Sequence, residues 1–336
     1  MKAIGFFASD PQTGAESLRD IDVPKPSPTG RDLLVKIEAV SVNPVDVKAR
    51  SRVPPDKKEA TILGFDGAGV VESVGDQVRN FKPGDEVFYA GTLVRPGTYA
   101  EYHLVDERIV GLKPKSLGFP EAAAVPLTAI TSWEMLFHRL AIPEGLSGAS
   151  VLIVGGTGGV GSMAVQLARQ LTKLTVVTTS FDDAQEREWC RKNGADHVLD
   201  HTRPIAAQVA ALNIAPVKFV FSTNMTGHHF PEIAELIAPQ GRFGLIDDPE
   251  PFDLRLIKVK SVSTHWENMF TRSIFQTEDL EAQHDLLTRL SKMIDDGRIR
   301  TTLAEVLGPI TAANLTGAHN RIWERRAPGK MVMAGF

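Results

Sequence analysis

Four consecutive apolar residues, Val151–Val154, run directly into the glycine-rich turn Gly155, Gly156, Thr157, Gly158, Gly159, Val160, Gly161, and Ser162–Ala168 continues as a helix. This order of buried strand, glycine turn and helix is the context in which a glycine fingerprint binds a dinucleotide. Glycines let the backbone approach a pyrophosphate, and the helix N-terminus turns free N–H groups toward its negative charge. Gly156, Thr157, Gly158, Gly159, Val160 and Gly161 are therefore candidate cofactor contacts. The position of the turn constrains the fold as strongly as its composition. It lies near the middle of a 336-residue chain, so a sizeable domain precedes the nucleotide domain.

A chain of this length favours two domains, each able to bury its own core. Charged residues make up 23% and the net charge is −4, so nothing points to a nucleic-acid or membrane-surface partner. No apolar run is long enough to span a bilayer, and the first residues do not form a signal peptide. A single cysteine, Cys190, rules out an internal disulfide framework and a multi-cysteine zinc site. A cytoplasmic protein is expected.

Roughly the first 125 residues read as short strands closed by Gly and Pro turns, which suggests a small barrel-like fold. Leu33–Val40, Gly69–Gly75, Pro83–Tyr89 and Tyr99–Val105 are its clearest strands. Beyond residue 126 the rhythm changes. Strands at 151–154, 174–179, 197–199, 217–222 and 242–246 alternate with helices at 160–171, 184–193, 204–212 and 230–237. That βαβ order predicts a doubly wound parallel sheet. Leu286, Leu287, Leu290, Met293 and Ile294 mark an amphipathic helix, with an N-cap expected at Thr277 and a stop at Gly297. The 329–336 segment reads as a final strand.

Ligands of a parallel sheet sit beyond the carboxyl ends of its strands. Ser222, Thr223 and Asn224 follow one strand, and Ile246 and Asp247 follow the next. The second strand ends at Ser180, where an NAD site usually carries an acidic residue for the ribose hydroxyls. A small neutral serine leaves room for a 2′-phosphate, so NADPH is the expected cofactor, with Arg187 or Arg191 available to supply charge. Asp182 or Asp183 would serve the ribose instead if the strand ended two residues later.

The run Ser41–Asp46, the glycine-rich Gly64–Val71, the turn Phe81–Val87, Pro126–Thr131, the glycine turn itself and Gly329–Val332 together resemble the medium-chain dehydrogenase/reductase superfamily, in its quinone-oxidoreductase branch. The segment Ser263–Arg272 resembles a hallmark of its zinc-type alcohol dehydrogenase-like subgroup. The resemblance implies an α/β protein: a GroES-like β-rich catalytic domain (1–127 and 277–336) and an inserted Rossmann NADPH-binding domain (128–276), with the cofactor in the cleft between them. It places Asn43 beside the nicotinamide and the substrate carbonyl, Phe65 in the pocket wall, Thr128 near the nicotinamide end of the cofactor, and His201 near the adenosine phosphate. Asp46 is either a further catalytic group or a helix cap. Asp66 is expected to bond backbone. Lys330 is a weaker candidate for the cofactor phosphates. His265, Trp266 and Phe270 suggest packing or a homodimer edge, and the His228–His229 pair an exposed turn.

Zinc alcohol dehydrogenases of this superfamily carry cysteine where this chain has Asn43, and Gly-His-Glu where it has Gly64, Phe65 and Asp66. Catalytic zinc needs three strong protein ligands and an open position, so no metal is expected. The expected activity is zinc-free, NADPH-dependent reduction of quinones. Alternatives are reduction of an alkenal or enone double bond, zinc-type alcohol dehydrogenation, and non-catalytic NADPH binding. The substrate is a small quinone or conjugated carbonyl.

Overall fold

The computed structural model describes every residue except 8–16, 51, 54–58, 182 and 324–328, which places Asp182 outside the described residues. The chain forms two compact units, Met1–Leu127 with Phe270–Phe336, and Thr128–Met269.

The first unit is mostly antiparallel. Its central strand, Asp32–Ser41, alternates apolar residues toward one core and pairs antiparallel with Gly67–Val74, Tyr102–Asp106 and Lys330–Ala334. A three-stranded sheet built on Lys2–Phe7 joins it through a bridge between Ala3 and Ala100. The late strand returns to the early one in a defined register, Val332 opposite Ser41 and Met333 opposite Val40. Leu33, Val35, Val87, Tyr89, Tyr99 and Met333 are fully buried in the same core. That register brings a residue near 330 beside one near 43.

In the second unit six strands, Ser147–Val154, Lys173–Ser180, His197–Asp200, Val217–Ser222, Arg242–Leu245 and Ser263–Trp266, form an entirely parallel sheet. Numbered in chain order, they lie side by side as 3-2-1-4-5-6. This is the doubly wound dinucleotide-binding order, whose ligand crevice opens where the order reverses, beyond strand 1. Strand 1 is the apolar run read from the sequence, and Val151, Leu152 and Ile153 are completely buried.

Two helix starts differ from expectation. The fourth helix begins at Thr226 rather than 230, because Asp247 Oδ1 and Oδ2 accept hydrogen bonds from the Thr226 hydroxyl (2.5 Å) and backbone N–H (3.0 Å) and anchor the first turn earlier. The tail helix is Ala282–Asp295, not capped by Thr277. Arg272 draws the Asp279 carboxylate to 2.8 Å and the Thr277 hydroxyl donates to it at 2.7 Å, so 277–281 closes into turns instead. Gly297 ends that helix at φ 72°, the left-handed position glycine favours. Among the described residues no helix is long and apolar enough to cross a membrane.

Candidate functional site

The glycine turn is held by steric exclusion. Gly155 has φ 89°, and a Cβ there would lie 2.5 Å from Thr223 Oγ1. A Cβ on Gly156 would meet Thr178 Oγ1 at 2.1 Å, and one on Gly161 would meet the Gly155 carbonyl oxygen at 2.0 Å. Real Cβ contacts do not come this close, so these glycines make the tight turn possible. Gly158 differs from them: the nearest atom to a Cβ there is 3.7 Å away. Space over Gly158 is what an incoming ligand needs. Gly158 also occupies the N-cap of the Gly159–Leu171 helix without any capping side chain, leaving its first N–H groups for an anion. Ser132, missed in the sequence, fastens the flank of the turn by donating to the Val160 carbonyl at 3.0 Å and to that of Thr128 at 2.7 Å. Thr128 is buried on the Pro126–Trp133 helix.

The other candidate cofactor residues gather at the carboxyl ends of the parallel strands. Ser180 is the last residue of its strand, and its hydroxyl donates to the Phe181 carbonyl at 2.9 Å. His201 follows the adjacent strand, and its ring meets Phe181 edge-on at 4.1 Å. Burial lowers its proton affinity. Ser222 ends its strand with its hydroxyl 2.7 Å from that of Thr226. Asn224 is exposed just beyond, and Ile246 follows the next strand half-buried.

Asp183 is committed elsewhere. Its carboxylate accepts from Gln185 and Glu186 N–H at 2.9 and 3.0 Å and caps the following helix. Arg187 donates to the Val198 carbonyl at 3.1 Å. His229 corrects the exposed-turn reading: it lies in the first turn of the Thr226–Leu236 helix and is 1% exposed, because the earlier helix start turns it inward. Cys190 is a buried helical residue whose thiol burial pushes up to about 12, so it is inert at neutral pH.

The catalytic candidates belong to the first unit. Pro44 opens the short helix Pro44–Arg50, a position that suits its missing N–H. Asn43 precedes it, and the Asp46 carboxylate accepts the Asn43 backbone N–H at 2.6 Å. Asp46 therefore closes the turn at the helix start, and its side chain is fully buried. Its second oxygen has no hydrogen-bond partner among the described residues. Burial, only partly offset by that N–H, pushes its carboxyl up to about 7.

Asp66 departs from the expectation of purely backbone bonding. One oxygen accepts the Leu127 N–H at 2.8 Å; the other accepts the Ser41 hydroxyl at 2.6 Å and Asn43 Nδ2 at 2.8 Å. The Lys330 ammonium lies 3.3 Å from that second oxygen and donates to the Val42 carbonyl at 2.8 Å and to Asn43 Oδ1. Lys330 is 4% exposed, so it faces this cluster and not a solvated phosphate. Burial raises the Asp66 carboxyl and lowers the lysine, while each partner opposes the other's shift. Phe65 is buried against Phe270 in an edge-to-face pair with centroids 5.4 Å apart, an apolar wall where a metal ligand stands in zinc enzymes.

The residues at the zinc position do not fit zinc. Asn43 uses both ends of its amide internally, Phe65 has no donor atom, and Asp66 is saturated by four donors. Among the described residues no group of three His, Cys, Asp or Glu side chains is arranged to hold a metal. Ser41 and the Leu127 N–H escaped sequence reading, and Lys330 was assigned to the cofactor phosphates instead of Asp66, because all three meet Asp66 from distant segments. The one available signal was the basic residue beside Gly329.

Comparison with known proteins agrees with this architecture. Residues 29–115 match the family model of the alcohol dehydrogenase GroES-like domain, and residues 159–288 match that of zinc-binding dehydrogenase. A zinc-type alcohol dehydrogenase-like protein of Staphylococcus aureus (strain MSSA476) is 38% identical over 99% of both chains. A crystal structure from Rhizobium etli CFN 42, provisionally described as a zinc-dependent alcohol dehydrogenase, is 54% identical over 100% of this chain and 98% of that one, with a TM-score of 0.96. The 2-methylene-furan-3-one reductase of Solanum lycopersicum is 40% identical over 51% of this chain and 45% of its own.

Proposed function

Because the chain belongs to the medium-chain dehydrogenase/reductase superfamily as a zinc-type alcohol dehydrogenase-like oxidoreductase, we propose that it is a zinc-free, NADPH-dependent reductase of quinones. One observation carries this reading. An intact nucleotide turn coexists with a zinc position whose polar groups are already satisfied by one another. Alcohol oxidation without a Lewis acid loses the main stabilisation of its alkoxide. Reduction of an electron-poor conjugated carbonyl does not depend on that help.

Gly156, Thr157, Gly158, Gly159, Val160 and Gly161 would hold the cofactor pyrophosphate, with Thr128, Ser222, Asn224 and Ile246 along its nicotinamide half. Ser180 and His201 would take the adenosine end, where the strand itself closes on a small neutral residue. Asp183 is spent on helix capping, which favours NADPH over NADH. Bound there, a nicotinamide cofactor supplies a hydride. A quinone gains that hydride and a proton from water, leaving a hydroquinone and oxidised cofactor. Asn43 orients the carbonyl, Phe65 keeps the pocket apolar, and Asp46 stores a proton near neutral pH. A homodimer through the Ser263–Trp266 edge strand, where Trp266 is 56% exposed, completes the proposal.

A second reading, reduction of an enone double bond, is favoured by the similarity to 2-methylene-furan-3-one reductase. The test mixes purified protein with NADPH or NADH, adds 1,4-benzoquinone, 9,10-phenanthrenequinone or an alkenal, and follows absorbance at 340 nm with and without EDTA. EDTA-insensitive NADPH oxidation by quinones supports the first reading, and oxidation by the alkenal alone the second. Cofactor binding without turnover on any of these would refute both.

A further inference from the structure

We propose that Lys330 is the resident cation of this site, standing where metal-dependent members of the superfamily keep zinc, and that it acts as a positioning residue by locking the Asn43 amide. The assignment follows from how its three N–H groups are spent. An ammonium has three donors and no acceptor. Here they face the Val42 carbonyl, Asn43 Oδ1 and Asp66 Oδ2, all inside the protein. Nothing is left to reach a cofactor phosphate.

The consequence falls on Asn43. With Oδ1 held by the ammonium and one Nδ2 proton held by Asp66, the amide can neither flip nor swing. Its second Nδ2 proton has no partner among the described residues. That N–H is a fixed donor of the kind that stabilises charge developing on a carbonyl oxygen. The role given to the donor rests on the proposed reductase function; the resident-cation assignment itself does not.

The carboxyls divide the remaining work. Asp66 gathers four donors and carries the charge that Lys330 balances. Asp46 accepts one backbone N–H, is faced by the Tyr99 hydroxyl and keeps one oxygen without a hydrogen-bond partner among the described residues, so the proton of the cluster belongs to it. The centre is then close to neutral overall and has no vacancy for a divalent ion.

The experiment compares wild type, Asp66→Asn, Lys330→Met and the double variant Lys330→Met/Asp66→Asn. Four quantities are read: zinc content after incubation with zinc chloride and gel filtration, thermal midpoint, NADPH affinity by fluorescence quenching, and turnover. The wild type should hold far less than one zinc per chain. Lys330→Met alone should melt well below wild type, and the double variant, free of both charges, should regain most of the loss. Its kcat should nevertheless fall at least 20-fold with NADPH affinity within threefold, and further than in Asp66→Asn assayed below its own midpoint.

Stoichiometric zinc in the wild type would overturn the assignment. So would unchanged kcat in the double variant, kcat equal to that of Asp66→Asn, or an NADPH affinity that falls in step with activity, the signature of a phosphate contact. A wild type that binds NADPH but reduces neither quinones nor enones would end the proposed function alone. Zinc content and recovery of the thermal midpoint would then decide the assignment.

Discussion

The glycine turn and the buried carboxyl–ammonium cluster solve opposite problems. The turn is contiguous, made of backbone, and leaves space: seven residues in a row build it, and at Gly158 nothing lies within 3.7 Å of where a side chain would begin. The cluster is scattered, made of side chains, and leaves none. It joins Ser41, Asn43, Asp46, Asp66, the Leu127 N–H and Lys330 so fully that, among the described residues, only one Asp46 oxygen and one Asn43 Nδ2 proton lack a partner. A site awaiting a ligand shows as missing atoms, while a site that has replaced a ligand shows as satisfied ones.

That contrast can be broken in four places. The largest effect is expected in the cluster. Asp66→Asn strands the Lys330 ammonium in the interior, and removing one partner of a buried pair costs about 3–5 kcal/mol; chemical denaturation should show it, and a loss below about 1 kcal/mol would mean the cluster is wetter than its burial implies. The turn should respond in binding instead of stability. Gly158→Asp puts a carboxylate into the open space at the pyrophosphate, and NADPH affinity should fall about 100-fold, near 2.7 kcal/mol, with little change in melting. Unchanged affinity would displace the cofactor from this turn.

The third test is pH. The Asp46 carboxyl is raised to about 7 in the folded protein from 3.8. A raised acid stabilises the fold while protonated, fully below 3.8, and that contribution fades as pH climbs toward 7. Between pH 5 and pH 7 roughly 2 kcal/mol should disappear, and Asp46→Asn should flatten that slope. Equal slopes in the two proteins would place the titration elsewhere, Glu267 being the next buried carboxyl to examine. It is pushed up to about 8 by burial and by neighbouring Glu134. The smallest effect concerns specificity. Ser180→Asp should weaken NADPH about tenfold more than NADH, near 1.4 kcal/mol; equal losses on both cofactors would remove Ser180 from the ribose.

The same division explains what could be read from the chain alone. Val151–Gly161 is legible because its signals are local: burial, turn and helix start follow each other without interruption. The five expected parallel strands appear for the same reason, each an apolar run between helices. Asn43 and Asp46 were visible as a turn and a cap, and Phe65 and Asp66 as departures from a metal motif. What joins them was hidden, because Lys330 reaches Asn43 across 287 residues. No spacing rule links positions so far apart; only the antiparallel register of Val332 with Ser41 brings them together. The misplaced starts at Thr226 and Ala282 have a similar origin. Asp247 and Arg272 recruit neighbouring side chains and override local helix signals.

The separation between Asn43 and Lys330 also imposes an order of events on the ribosome. At about 5–20 residues per second, the lysine is added some 14–57 s after the asparagine it will hold. Throughout that interval the Asp66 carboxylate already exists without its counter-ion and cannot be enclosed cheaply. The Thr128–Met269 unit has no such dependence, since all its strands come from one continuous stretch. It can complete its sheet while the other half of the molecule waits, open and hydrated, for a single amine.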